Sequence, residues 1–167
     1  GAFSEFVFGE LKEKAILRFQ GPMGTFFLRD NPDHHPLVFM AGGTGFAPIK
    51  ALIEQLLFTD KNQEIHLYWG VRSKRDIYLA DLPEKWQQQF SRFNHAIILS
   101  APEEQDQWQG RTGSVTHAIA DDFSDLSQVE IYAAGPPAMI DSGKNLFFPK
   151  GLAENRFHYD AFQLAKE

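Results

Sequence analysis

From residue 37 onward, five short apolar runs alternate with helical stripes, and no other feature constrains the fold as strongly. Leu37–Ala41 is a continuous apolar run, the pattern of a strand covered on both faces. Pro48 stands where the first turn of a helix tolerates proline. Ile49, Leu52, Ile53, Leu56 and Leu57 follow it at the i, i+3, i+4, i+7, i+8 spacing of one helical stripe. Ile65–Trp69, Ala96–Leu99, Ile131–Ala134 and Arg156–Tyr159 read as further strands. Asp81–Phe90, with Leu82, Trp86 and Phe90 four apart, reads as a helix. So do a short segment capped by Ser114 and running through Ala120, and Pro137–Phe147. Strands that alternate with helices predict an α/β fold, a five-stranded parallel sheet with helices on both faces and right-handed crossovers. The order of the strands is not contained in this pattern.

Residues 1–29 read differently. They suggest short strands broken by turns: Ala15–Phe19 alternates weakly, Gly21-Pro22-Met23-Gly24 is a turn, and Thr25–Leu28 is a second apolar run. This is too little to bury a core alone. The polar loop Asn31-Pro32-Asp33-His34-His35-Pro36, bracketed by prolines, marks a boundary, so two units are expected, 1–33 and 34–167. A length of 167 residues agrees with one domain and a piece of another.

Several function classes are disfavoured or excluded by composition. Lys and Arg number 16 against 22 Asp and Glu, a net charge of 16 − 22 = −6, with no basic block. Such a chain is a poor candidate for nucleic acid or an anionic membrane surface. With no cysteine, disulfides, thiolate metal sites and a cysteine-ligated iron–sulfur cluster are excluded within the chain. No apolar run approaches the ~18 residues of a membrane helix, and the N-terminus lacks a signal-peptide pattern, so a cytoplasmic protein is expected.

Two turns carry the functional signal. Ala41-Gly42-Gly43-Thr44-Gly45-Phe46-Ala47-Pro48 joins a strand to a helix, and Ala134-Gly135-Pro136-Pro137 does the same later in the chain. Glycine lets a backbone approach a ligand closely, and the helix that follows offers free N–H groups and a positive dipole end that suit phosphate. Ligands of parallel α/β sheets bind at the carboxyl ends of strands. The first turn matches neither G-x-G-x-x-G nor the Lys-Ser/Thr ending of a P-loop. The plain alternative for both is a tight strand-to-helix turn that needs glycine whatever it binds.

Together with Leu67–Leu79 (LYWGVRSKRDIYL), Trp108–Val115 (WQGRTGSV) and the ending His158-Tyr159-Asp160-Ala161-Phe162, these turns resemble the ferredoxin–NADP reductase superfamily. The likeness is to its bacterial NAD(P)H–flavin reductases and the reductase components of oxygenases. It covers essentially the whole chain. It implies a nucleotide-binding domain at 34–167, preceded at 1–33 by the end of an antiparallel flavin-binding barrel. The family's Arg-x-Tyr/Phe-Ser/Thr flavin motif does not occur here.

Further implications of the resemblance are residue-specific. Gly1 and Ser4 match a segment that holds flavin phosphate. Gly42, Gly43, Thr44 and Gly45 line the pyrophosphate and nicotinamide side, with Pro48 opening the helix behind them. Gly70, Arg72 and Ser73 surround the adenosine ribose, and Gly135, Pro136, Pro137 and Met139 face the dinucleotide. Ala134 stands where many members have a cysteine that positions the nicotinamide, so weaker positioning is expected. Asp160 matches a carboxylate near the reacting carbons, Phe162 an aromatic that covers the flavin until nicotinamide displaces it, and Thr44 the flavin–nicotinamide contact. The implied activity is hydride transfer from NADH or NADPH to FAD or FMN. The implied acceptor is free flavin, an iron–sulfur domain or an oxygenase partner. A non-catalytic dinucleotide-binding or regulatory module of the same fold is the alternative.

Other residues take plainer readings. His34-His35 is a solvated pair in a proline-flanked loop, with no metal expected. Asp121-Asp122 and Glu103-Glu104 are exposed acidic patches. Trp86 and Phe90 belong to the core, and Trp108 anchors its own loop. Arg72, Lys74 and Arg75 are either surface charges or a site for the 2′-phosphate of NADP, against which Asp76 acts.

Overall fold

The computed structural model describes residues 2–21, 23–59 and 62–162. Every strand expected after residue 36 forms: β1 Leu37–Gly42, β2 Ile65–Val71, β3 Phe93–Leu99, β5 Glu130–Gly135 and β6 Phe157–Ala161. A sixth, β4, comprises only Arg111–Thr112, which pair in parallel with Ile98 and Leu99. Two residues carry no readable period, so the expected five strands become six. All pairings are parallel, in the order β4-β3-β2-β1-β5-β6.

Four helices cover this sheet: α2 Phe46–Phe58, α3 Asp81–Gln89, α4 Val115–Asp122 and α5 Pro137–Phe147. Side chains alternate along β1. Leu37, Phe39 and Ala41 pack with Ile49, Ile53 and Leu56 of α2 and Trp86 of α3. Val38 and Met40 face the other way, into Val115 and Ile119 of α4 and Ile140 and Phe147 of α5. The chain moves from β1 to β2 and β3 through helices on one face, then returns to β5 and β6 through helices on the other. A constant crossover hand requires that change of face when the direction of winding reverses. The reversal leaves a crevice at the carboxyl ends of β1 and β5.

Helix boundaries follow the sequence closely, with one difference. Ser114 precedes α4, but its hydroxyl lies 2.7 Å from Thr116 Oγ1 rather than on a backbone amide. Thr116 Oγ1 in turn lies 2.8 Å from Ser142 Oγ of α5, so the hydroxyl joins two helices instead of capping one.

The segment before the sheet departs from the expectation of short strands. Residues 2–10 are helical, α1 at Ala2–Glu5 continuing as a wider turn over Phe6–Glu10. The described residues from 11 to 36 contain no strand. Strands need partners for their N–H and C=O groups, and no described residue pairs with the apolar stretches 15–19 and 25–28 as a ladder. Ile16, Phe19 and Met23 are exposed. Among the described residues of the segment, Phe26 and Leu28 at its end pack against the first core cluster.

Candidate functional site

Both glycine turns lie side by side at the crevice. β1 ends at Gly42, and Gly43–Gly45 form a tight helical turn that leads into α2. Gly43 adopts φ +55°, and a Cβ there would meet nothing within 4 Å, so its backbone lies open towards the crevice. Gly45 is the opposite case. A Cβ on it would lie 2.0 Å from the Ala134 carbonyl oxygen, so glycine here lets α2 seat directly on β5. On the second turn Gly135 has φ +154°, and its Cβ would lie 3.1 Å from the Gly42 backbone. Pro136 precedes α5, with Pro137 as its first residue. The turns are glycine-rich for two separate reasons: close packing of one turn on the other, and open backbone at Gly43.

An indole holds the first turn. Trp69 Nε1 donates to the Gly43 carbonyl at 2.9 Å, and its ring stacks on Phe46 with centroids 4.1 Å apart. Burial of these rings fixes the turn without using any group that faces the groove.

The groove has two lobes. One, of about 300 Å³, lies among Gly42, Gly70, Gly113, Val115, Pro136 and Met139. The other, of about 390 Å³, lies among Thr44, Val71, Asp76 and Tyr78. Gly43, Val71 and Arg72 line both. A Cβ on Gly70 would lie 2.9 Å from Val115 Cβ, so α4 packs against the end of β2 where the first lobe begins. The amino ends of α2 and α5 rise from the two turns, with their unpaired N–H groups and positive dipole ends. Open glycine backbone and helix amino ends fit the phosphates of a dinucleotide.

Asp160 and Phe162 arrive from β6. Asp160 is in register with Ala134, and Ala161 with Gly135. The Phe162 amide donates to the Gly135 carbonyl at 3.0 Å, continuing the pairing past the end of the strand. Both residues therefore stand beside the second glycine turn, and Asp160 is exposed.

Several assigned residues are placed elsewhere. Ser73 is 2% exposed, and its amide and hydroxyl both donate to Asp76 Oδ2, at 2.9 and 3.0 Å. Its hydroxyl is spent on the turn rather than offered to the groove. Those bonds hold the Asp76 carboxyl below its ordinary range. Pro48 and Pro137 lie within their helices and line neither lobe. Ser4 is exposed on α1, and Gly1 lies outside the described residues. Neither lobe is lined by Ser4, Asp160 or Phe162.

The groove also contains residues that local reasoning does not reach. Gly113 (φ +107°) and Ser114 line the first lobe, and Tyr78 the second. The stretch Trp108–Val115 is a recognisable motif, but only the pairing of β4 beside β3 carries Gly113 to the groove. Trp108 anchors that loop, with Nε1 donating to the Arg111 carbonyl at 2.9 Å. Asp122, read as part of an exposed patch, accepts from the Tyr68 hydroxyl at 2.7 Å and pairs with Arg111. Burial pushes its carboxyl up, but these hydrogen bonds outweigh that and leave it below its ordinary value.

Comparison with known proteins agrees with this geometry. Residues 39–144 match the model of the oxidoreductase NAD-binding domain, and the chain belongs to that family. It is 42% identical over 97% of its length to Protein RfbI of Salmonella typhimurium, covering 48% of that protein. It is 40% identical over 99% of its length to the CDP-6-deoxy-L-threo-D-glycero-4-hexulose-3-dehydrase reductase of Yersinia pestis, covering 49% of it. Among solved structures, a cytochrome P450 reductase from Amycolatopsis superposes with a TM-score of 0.79 at 29% identity, over 87% of this chain and 44% of that one. The chain thus spans about half the length of the relatives it matches. Among the described residues no helix is long and apolar enough to cross a membrane.

Proposed function

We propose that this chain is the dinucleotide-binding part of a flavin-dependent NAD(P)H oxidoreductase, with residues 34–167 as that domain and 1–33 as the end of a flavin-binding one. One observation carries the reading: both glycine turns converge at the switch point of the sheet, beside the strand end that presents Asp160 and Phe162. The backbone at Gly43 and the amino ends of α2 and α5 take the pyrophosphate. Arg72, which lines both lobes, serves the adenosine half. Thr44 and Asp160 flank the nicotinamide, and Phe162 shields the flavin ring from water. A bound FAD or FMN supplies the hydride-accepting chemistry, while the protein supplies orientation and electrostatics. Electrons then pass to free flavin, a ferredoxin-like domain or an oxygenase component, in the cytoplasm. The relatives named as reductases, and the phenol hydroxylase P5 protein of Acinetobacter pittii at 33% identity, support such an acceptor.

Two measurements test this. NADH fluorescence titration of the chain reports binding. Gly43→Val, which strains a φ of +55° and fills the groove, is expected to weaken it about tenfold or more. Anaerobic bleaching of the flavin-loaded protein by NADH reports transfer. Asp160→Ala and Phe162→Ala are each expected to slow it about tenfold, because misplaced reactants lose the proximity advantage. Unchanged bleaching in both would remove the catalytic roles assigned here and leave a binding module.

A further inference from the structure

At the opposite, amino-terminal edge of the sheet lies a polar cluster that the dinucleotide groove does not use. Glu130 opens β5 and is 4% exposed. Its Oε1 accepts from the Tyr132 hydroxyl at 2.9 Å and lies 2.9 Å from Nε2 of His158 on β6. The Tyr132 oxygen in turn accepts the backbone N–H of Arg29 at 2.8 Å. The Glu130 amide donates to the Pro36 carbonyl at 3.1 Å. Tyr132 and His158 are partners in register, with ring centroids 4.8 Å apart. One buried carboxylate therefore joins three pieces of chain: β5, the segment that enters the sheet at 29–36, and the outer strand β6.

Stability alone does not account for this cluster. Well-packed apolar side chains of similar volume generally do as well as buried charged groups, whereas hydrogen bonds also fix direction. The direction fixed here matters because β6 runs from His158 to Asp160 in two residues, about 7 Å of strand. We propose that Glu130, Tyr132 and His158 form a positioning cluster. It locks the 29–36 segment to β6, and so sets Asp160 and Phe162 relative to whatever the chain before Arg29 carries. The kinetic consequence rests on the reading of Asp160 and Phe162 given above; the mechanical link does not.

The experiment uses Tyr132→Phe, Glu130→Gln and Glu130→Ala, with amide hydrogen exchange read at Arg29, at Phe162 and at Val38–Met40. Tyr132→Phe removes the acceptor of the Arg29 amide, so exchange there rises about tenfold, the worth of one lost hydrogen bond. Through the shared carboxylate the Phe162 amide also exchanges faster, while the central β1 amides stay protected and show that the sheet is folded. Glu130→Gln keeps an acceptor oxygen for the tyrosine and is expected to retain most of the protection that Glu130→Ala loses. Faster exchange at Arg29 with Phe162 unmoved would overturn the link.

In the flavin-loaded protein, Glu130→Ala lowers the maximal rate of flavin reduction and leaves the KM for NADH unchanged, and Glu130→Gln restores the rate. An unchanged rate in Glu130→Ala, with Asp160→Ala impaired, would overturn the positioning role. If Asp160→Ala and Phe162→Ala are also without effect, the failure belongs to the site reading, and the exchange data alone decide the lock.

Discussion

Residues 2–29 and the sheet that begins at Leu37 are both rich in large apolar side chains, yet they end in opposite states. Phe8, Ile16 and Phe19 are 91%, 94% and 85% exposed, whereas Phe39, Phe46 and Ile53 are fully buried. Hydrophobic content is thus not what separates the two regions. A strand of the sheet finds its ladder partners on either side and a helix on each face. The earlier segment has no layer among the described residues to close over it, and only Phe26 and Leu28 reach the core. Burial requires a second layer, not apolar residues alone.

The comparison can be broken or sharpened by substitution. The largest contrast is expected between Phe39→Ala and Phe19→Ala in urea unfolding. The first removes a ring packed on Tyr132 at 5.5 Å and costs about 3–5 kcal/mol. The second removes an exposed ring and stays within about 0.5 kcal/mol. Equal losses would mean that the N-terminal segment is packed after all.

Glycine gives the next contrast. Gly45→Ala places a methyl group 2.0 Å from the Ala134 carbonyl and must push α2 off β5, an overpacking loss of about 1–3 kcal/mol. Gly21→Ala meets nothing within 4 Å and is expected to be neutral or slightly stabilising in the same urea unfolding. A smaller effect is expected from Trp69→Phe. It keeps a ring against Phe46 but removes the donor to the Gly43 carbonyl, costing about 1 kcal/mol and weakening NADH binding several-fold.

Titration gives the smallest effect. Burial lowers the His95 imidazole below its ordinary value, against a weaker upward pull from Glu84. The unfolded chain then binds the proton more readily than the folded one. Stability is full above the ordinary imidazole range, falls as pH drops through about 6.5, and levels off below the folded value. His95→Gln should flatten that part of the pH–stability curve, and an unchanged slope would assign it to another group.

Most of the fold was legible in the sequence. Continuous apolar runs marked β1 and β5, the Ile49-to-Leu57 stripe marked α2, and the proline at 137 marked the start of α5. These signals are local: they record which side of an element faces a core. The candidate site was legible in part. Gly42–Gly45 and Gly135–Pro137 were recognisable as strand-to-helix turns, and Asp160 and Phe162 by resemblance alone. Ser73 was misleading because its hydroxyl has two possible customers, a ligand or its own turn, and the carboxylate of Asp76 three residues on claims it. The 15–19 and 25–28 runs were misleading because strand propensity is realised only against a partner.

By itself, then, the sequence determined the alternation of strand and helix, the apolar faces, the glycine at each turn, and that these 167 residues hold no cysteine. Only the tertiary structure decided the order β4-β3-β2-β1-β5-β6, and with it the side-by-side position of turns 92 residues apart, at Gly43 and Gly135. It also decided that Arg111–Thr112 is a strand, that Gly113 reaches the groove, and that Glu130 meets His158. Periodicity encodes which way a side chain points. Strand order depends on pairing between distant segments, where every parallel ladder offers the same backbone hydrogen bonds. The choice among them falls to how whole faces pack, a property no local window contains.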